Sequence, residues 1–108
     1  MQGGQILSNS VSTDSVKIPD EKTMSNAAKL SIKYDKPIML DYYNDSILDK
    51  ACIGLCNNNE KIIIKSKDEY TSPIQNVFKI GIDYLSLTEN SIYILHSSIK
   101  TKKLNIDI

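Results

Sequence analysis

The chain has 108 residues, 41% of them hydrophobic, and its 13 basic and 13 acidic residues give a formal net charge of zero. This length suits one domain with a single core, and this apolar content excludes a fully disordered chain. The balanced charge provides no long-range attraction for nucleic acid or anionic lipid. Arginine, whose rigid fork binds phosphate or carboxylate with two bonds, is absent, so lysine and one histidine supply the basic groups.

Residues 1–17 are small and polar without hydrophobic periodicity, so we expect a flexible N-terminal arm that only a partner would order. They lack the charged start and apolar stretch of a signal peptide, and no apolar run in the chain reaches transmembrane length. We therefore expect an intracellular protein with no membrane span. No lipid anchor is expected either, because myristoylation needs glycine directly after Met1 and Gln2 stands there.

A helix is predicted over residues 21–34. Asp20 is the expected N-cap, and Pro37 follows the helix end because the residue before proline disfavours the α conformation. Apolar residues recur at helical spacing and predict the buried face. That stripe comprises Met24, Ala27, Ala28 and Ile32, with Leu30 set apart from it.

Beyond Pro37 the pattern predicts strands only. The expected strands lie at 38–42, 51–55, 60–66, 77–80, 84–88 and 91–97. Three asparagines at 57–59 predict a tight hairpin turn, and residues 81–83 a turn or bulge. Residues 67–73 are expected to form a loop, and the lysine-rich tail from Lys100 is expected to fray.

One helix followed by consecutive strands indicates an α+β fold. We predict one N-terminal helix followed by a five- to six-stranded, mainly antiparallel bent sheet or small barrel, since short turns disfavour parallel crossovers. The domain division is an arm at 1–17, a single α+β domain at 18–99 and a C-terminal tail at 100–108. The expected core comprises Ile53, Leu55, Ile62, Ile64, Phe78, Ile80, Leu85, Leu87, Ile92 and Ile94.

Four stretches of sequence resemble small uncharacterised proteins of nucleocytoplasmic large DNA viruses with AT-rich genomes. They are KIPDEKTM at 17–24, DKPIMLDY at 35–42, DEYTSPI at 68–74 and TENSIYI at 88–94. The resemblance covers most of residues 17–95. It implies a viral source and a place in the virion or in the virus factory of the host cytoplasm, and it implies no catalytic residues.

Three residues could in principle carry metal or nucleophilic chemistry: Cys52, Cys56 and His96. The cysteines lie four apart on a predicted strand, about 13 Å along the backbone, which is too far for a disulfide. A structural zinc site needs four ligands, and His96 would be only the third. We interpret the cysteines as small packed thiols and His96 as a hydrogen-bonded residue at the core edge. Whether the three meet is left open.

The acidic residues form no pattern for calcium or glycosidase chemistry, and we interpret them as solvated loop charges. They are Asp41, Asp45, Asp49, Asp68 and Glu69. The six tyrosines could stack nucleic-acid bases if several shared an exposed face near Lys61, Lys65 and Lys79. The alternative interpretation is that they complete the core or an interface. They are Tyr34, Tyr42, Tyr43, Tyr70, Tyr84 and Tyr93.

These observations predict a non-enzymatic structural or interaction protein, with no catalytic, cofactor-binding or metal-binding residues and no cofactor. We expect it to be a small viral, virion-associated protein that binds other proteins, or copies of itself, through a sheet edge and the N-terminal arm. The alternative is a small β-barrel module that binds single-stranded nucleic acid or regulates a nucleic-acid enzyme.

Overall fold

The computed structural model describes residues 16–107, so the predicted N-terminal arm lies almost wholly outside the described residues. Within that range the chain forms two helices and eight strands. The helices are α1 (Glu21–Tyr34) and α2 (Tyr43–Ile47). The strands are β1 (Ile38–Met39), β2 (Cys52–Leu55), β3 (Lys61–Ser66), β4 (Glu69–Tyr70), β5 (Ile74–Ile80), β6 (Asp83–Thr88), β7 (Ile92–His96) and β8 (Lys100–Lys103).

The eight strands form two four-stranded mixed sheets. The first has the order β1-β7-β6-β5, and the second has the order β4-β3-β2-β8. The β1–β7 and β2–β8 pairs are parallel, and the other pairs are antiparallel. The α+β class with one main helix is therefore confirmed. The predicted count of five or six strands is wrong, and the two described sheets do not form a closed barrel.

Helix α1 has the predicted bounds and the predicted cap. The Asp20 side chain accepts a hydrogen bond of 2.9 Å from the backbone N–H of Thr23. At the other end Asp35 takes a left-handed conformation with φ 55°, and its N–H donates to the Ser31 carbonyl. A short polar residue tolerates that conformation, which ends the helix before Pro37.

The predicted apolar stripe of α1 is confirmed in part: Ala27 is buried and Met24 packs against the core, whereas Ala28 is exposed. Thr23 and Ala27 are buried, and Leu30 and Tyr34 pack against the core. Positions 23, 27, 30 and 34 follow the 3.6-residue period, so they lie on one face. Ile32, assigned to the stripe, is 84% exposed. The apolar pattern missed Thr23 because threonine is a polar residue.

The first sheet lies between two apolar layers. On one face Leu85, Leu87, Ile92 and Ile94 pack under α1. Since side chains alternate along a strand, the next residues point the opposite way. On that face Leu95 packs with Ile63 of the second sheet and with Tyr42, beside the half-buried Tyr84 and Tyr93.

The core prediction is confirmed for about half of its members. Ile62, Leu85, Leu87, Ile92 and Ile94 are buried. The other five are half-buried, namely Ile53, Leu55, Ile64, Phe78 and Ile80. Ile63, which was not in the predicted set, is fully buried because β3 turns that side chain toward the first sheet.

Three local predictions are wrong. Only Ile38–Met39 of the strand at 38–42 forms, and the chain then enters α2, whose Tyr43 and Ser46 are buried. The loop at 67–73 contains the short strand β4. The tail from Lys100 does not fray but forms β8, paired in parallel with β2. At this edge backbone pairing places the strand although its four side chains are all exposed.

The predicted turns are present. Asn59 has φ 68° in the turn between β2 and β3, and Gly81 has φ 60° in the two-residue turn between β5 and β6. Neither helix in residues 16–107 has the length and apolar character needed to span a bilayer.

Candidate interaction surface

A buried carboxyl, that of Asp83, lies at the start of β6. Asp83 is 1% exposed. Its two oxygens accept hydrogen bonds of 2.7 Å, one from the Thr23 hydroxyl of α1 and one from the Tyr43 hydroxyl of α2. Burial and the bond to Asp83 raise the pKa of Tyr43 well above its ordinary value. The cluster ties both helices to the sheet, and its internal bonds make it a structural element. No local sequence pattern distinguishes Asp83 from the other acidic residues.

His96 lies opposite Asp83 on the adjacent strand β7, but a turn holds its ring. Its Nδ1 accepts a bond of 3.0 Å from the Ser98 N–H and lies 2.8 Å from the Ser98 hydroxyl. An accepting Nδ1 leaves the proton of a neutral ring on Nε2. Among the described residues no carboxylate is hydrogen-bonded to the ring. This environment matches the expected hydrogen-bonded histidine at the core edge.

The two cysteines and His96 lie in different sheets. Both cysteines are free thiols of the second sheet: Cys52 lies in β2 and is half-buried, and Cys56 directly follows β2 and is 2% exposed. His96 lies in the first sheet. Across residues 16–107 no group of three histidine, cysteine or acidic side chains is placed to hold a metal ion.

The acidic residues considered from the sequence do not converge either. Asp45 is paired with Lys65 at 3.1 Å, and Asp49 with Lys100 at 3.2 Å. The hydrogen bond and charge of Asp45 raise the pKa of Lys65. The remaining three, Asp41, Asp68 and Glu69, are exposed. Two of the five are thus ion-paired rather than simply solvated.

Five of the six tyrosines are buried or half-buried, and all six lie in the described range. Tyr42 and Tyr93 stack on each other between the two sheets, with ring centroids 5.6 Å apart. Tyr70 is the exposed one, at 54%. The tyrosines therefore complete the core, and the several exposed rings that base stacking on one face requires are not available.

The open strand edges differ in length and charge. Strands β1 and β4 have two residues each, which is too short to receive a long segment. Strand β8 carries three lysines in four residues, a composition that repels strand addition. Strand β5 is seven residues long, forms the edge of the first sheet and contains one charged residue, Lys79. Of the edges in residues 16–107, β5 is therefore the one best suited to pair with another strand.

Some backbone N–H groups of β5, including that of Val77, point away from β6 and are open to a partner strand. Ile80 pairs with Asp83 across the two-residue turn, and Phe78 pairs with Leu85. Since bonded and non-bonded pairs alternate in an antiparallel ladder, the N–H groups of Val77 and Lys79 point away from β6. The Val77 N–H donates to the adjacent Asn76 side chain at 3.0 Å. A weak local bond thus occupies a group that a partner strand could bind.

A groove lies beside this edge. It has a volume of about 340 Å³ and runs between the β2–β3 turn and the first half of β5. Its walls include Glu60 and Lys61 on one side and Ile74 and Val77 on the other. Val77 is 46% exposed. The groove combines apolar side chains with one charge of each sign.

The N-terminal segment joins the domain at a second concave surface. The side-chain amide of Asn44 in α2 pairs with the Lys17 backbone, accepting its N–H at 2.9 Å and donating to its carbonyl at 2.8 Å. The adjoining groove of about 270 Å³ is lined by exposed Val16, Ile18 and Leu40. The described part of the chain therefore begins beside exposed apolar side chains.

Comparison with protein-family models, curated proteins and solved structures finds no match for this chain. The arrangement of its edges and grooves must therefore carry the functional argument. Sequence reasoning anticipated a sheet edge as the binding element but did not identify β5, because the edge position of a strand depends on pairing that the local pattern does not encode. The sequence pattern predicts this strand only over residues 77–80, whereas β5 begins at Ile74, so the full length of the edge is missed as well.

Proposed function

We propose that this chain is a non-enzymatic interaction protein that binds an extended segment of another protein by strand addition at β5. The single observation that carries the proposal is the juxtaposition of a seven-residue open edge with the groove along it. Strand addition gains affinity from main-chain hydrogen bonds and specificity from pockets that receive alternate side chains. Both parts are present at β5.

The contacts at Val77 indicate how the segment is bound. A carbonyl of the incoming strand replaces the Asn76 side chain as acceptor of the Val77 N–H. Side chains on one face of that strand enter the groove, where Ile74 and Val77 offer apolar contact and Glu60 and Lys61 offer charged partners. A partner segment should have no lysine or arginine opposite Lys79, because like charges directly across a strand pair are destabilising.

The proposal includes the N-terminal arm as a second binding element. Three apolar residues in it, Ile6, Leu7 and Val11, are isolated anchors in a polar sequence. At the described end of the arm, Val16 and the neighbouring Ile18 are exposed. A partner that contacts this surface would bind the arm as well, which increases avidity through effective concentration.

The viral part of the proposal rests on the sequence resemblance. It assigns the chain to the virion or virus factory. Mass spectrometry of purified particles tests this assignment, with expression in infected cells confirmed in parallel. Detection in particles at a level comparable to known structural proteins supports it, and consistent absence from particles contradicts it.

Two substitutions of Val77 test the β5 edge. Val77→Pro removes the outward N–H while proline is tolerated at an edge position. Val77→Thr keeps the N–H and the β-branched shape, so it is the matched control. Tagged full-length protein is used for affinity capture from the cells that produce it, with quantitative mass spectrometry. We expect partners recovered by wild type and Val77→Thr to be lost with Val77→Pro.

Equal recovery by all three proteins, with their folds confirmed by circular dichroism, would show that β5 is not the binding edge. For the arm, the double substitution Ile6→Ser with Leu7→Ser is compared with Ser8→Ala and Ser10→Ala. Reduced recovery in the first pair alone supports the arm, and unchanged recovery in both pairs contradicts it.

A further inference from the structure

A second groove lies on the face of the second sheet that points away from the first sheet. Ile63 of β3 packs against the first sheet, so its neighbour Ile64 points outward. Cys52 pairs with Ile64, and Lys102 pairs with Gly54, so these side chains share the outer face. The groove has a volume of about 350 Å³, within the range of small-molecule pockets.

The floor of this groove is apolar and its rim is basic. Cys52, Ile64 and Leu104 are half-buried and provide the floor. The lysines of the rim are Lys50, Lys65, Lys67 and Lys102, against one carboxylate, that of Asp49. In a chain whose net charge is zero, this local excess of positive charge is a marked asymmetry.

Three of the rim lysines have no ion pair within residues 16–107. Lys65 is held by Asp45, and Asp49 is held by Lys100. Lys50, Lys67 and Lys102 remain, and each comes from a different part of the fold: the segment before β2, the β3–β4 turn and β8. Three unpaired cations that face one cavity from separate elements favour an anionic ligand.

The residue types narrow the ligand further. Lysine acts as a point charge and binds phosphate from several directions, and three lysines complement a phosphate group, with about two negative charges at neutral pH, better than a singly charged carboxylate. We propose that the groove binds a small organic phosphate, with its phosphate groups at Lys50, Lys67 and Lys102 and its apolar body on Ile64 and Leu104. This site is separate from β5 and does not depend on the proposed function.

The test is a titration of the full chain followed by ¹H–¹⁵N NMR. Three probes are compared. ATP supplies both the phosphates and the body of the ligand, pyrophosphate supplies the phosphates alone, and adenosine supplies the body alone. We expect saturable shifts at the amides of Cys52, Ile64 and Lys102, with ATP binding more tightly than pyrophosphate and pyrophosphate more tightly than adenosine. Shifts spread over exposed lysines without saturation would contradict the site.

Matched charge variants separate the groove from general attraction. The triple variant Lys50→Ala, Lys67→Ala and Lys102→Ala should weaken ATP binding about tenfold, as expected for three partly screened charges. The control Lys22→Ala, Lys29→Ala and Lys33→Ala removes the same charge from α1 and should leave affinity within about twofold of wild type. Dispersed NMR spectra establish that both variants are folded.

Three results would overturn the assignment. The first is the absence of saturable groove shifts with ATP at concentrations up to about 10 mM, beyond the weak end of specific binding. The second is an equal loss of affinity in both triple variants. The third is tighter binding of a penta-glutamate peptide than of ATP, which would identify the groove as a site for an acidic protein segment.

Discussion

The Asp83 cluster provides the sharpest test of the packing, through the substitution Tyr43→Phe. This change removes one hydroxyl and leaves one oxygen of the buried Asp83 carboxyl without its bond of 2.7 Å. A hydrogen bond to a charged group contributes about 1.5–3 kcal/mol, so we expect a loss of about 2 kcal/mol in the free energy of unfolding. Urea unfolding followed by circular dichroism measures it.

Two further variants identify the cause. Tyr70→Phe removes a hydroxyl from an exposed ring and should change the free energy of unfolding by no more than about 0.5 kcal/mol. In an Asp83→Asn background, Tyr43→Phe should cost less than in the wild type because no carboxylate is left unpaired. A cost for Tyr43→Phe as small as that for Tyr70→Phe would refute the assigned role of the cluster.

The same cluster predicts a pH dependence. The pKa of Tyr43 in the folded chain is raised above the ordinary value of 10.0, first by burial and then by the bond to Asp83. The unfolded chain therefore loses the Tyr43 proton at lower pH than the folded chain. This contribution to stability is complete below about pH 10 and declines as the pH rises further. We expect Tyr43→Phe to make the alkaline decline shallower, and an unchanged slope would contradict this.

Three other sets of substitutions test separate parts of the fold by thermal or urea unfolding. Asp20→Ala should lower the melting temperature, and Asp20→Ser, which keeps a capping oxygen, should lower it much less. The cap also lowers the pKa of Asp20, so the stability that Asp20 contributes should be lost as the pH falls below about 4. Equal melting temperatures for both variants would contradict the cap. Gly54→Ala places a methyl 2.5 Å from Leu104 Cδ1, so it should destabilise the wild type by about 1 kcal/mol but be neutral in a Leu104→Ala background. Leu85→Ala should lower the free energy of unfolding by about 3 kcal/mol, which is more than Phe78→Ala should, since Leu85 is fully buried and Phe78 is half-buried. A larger loss for Phe78→Ala would contradict the placement of Leu85 in the apolar layer under α1.

The elements with strong local signals could be predicted from the sequence. Helix α1 has a capping aspartate before it and a proline after it, and both signals act within a few residues. The asparagine turn before β3 is equally local. The buried face of α1 could not be predicted correctly, because Thr23 becomes a core residue only when Asp83, 60 positions away, supplies an acceptor.

Elements that depend on pairing with distant strands were missed or misplaced. Strand β8 has the composition of a solvated tail, yet the backbone of β2 pairs with it from Lys100 to Lys103. The groove beside β5 and the lysine-lined groove of the second sheet were missed for the same reason, since each forms between segments that are distant in the sequence. Lys50, Lys67 and Lys102 are unremarkable as single residues, and only the meeting of β2, β3 and β8 places them around one cavity.

Amide hydrogen exchange of the full chain, free and bound to a captured partner, measures whether β5 receives an extended segment. In the free protein the Val77 N–H donates, within residues 16–107, to the Asn76 side chain. Pairing with a second strand must slow the exchange of Val77 and Lys79 together, because both amides point away from β6. We predict this joint protection for wild type and Val77→Thr. Unchanged exchange at both amides in a complex that protects another surface would contradict the account.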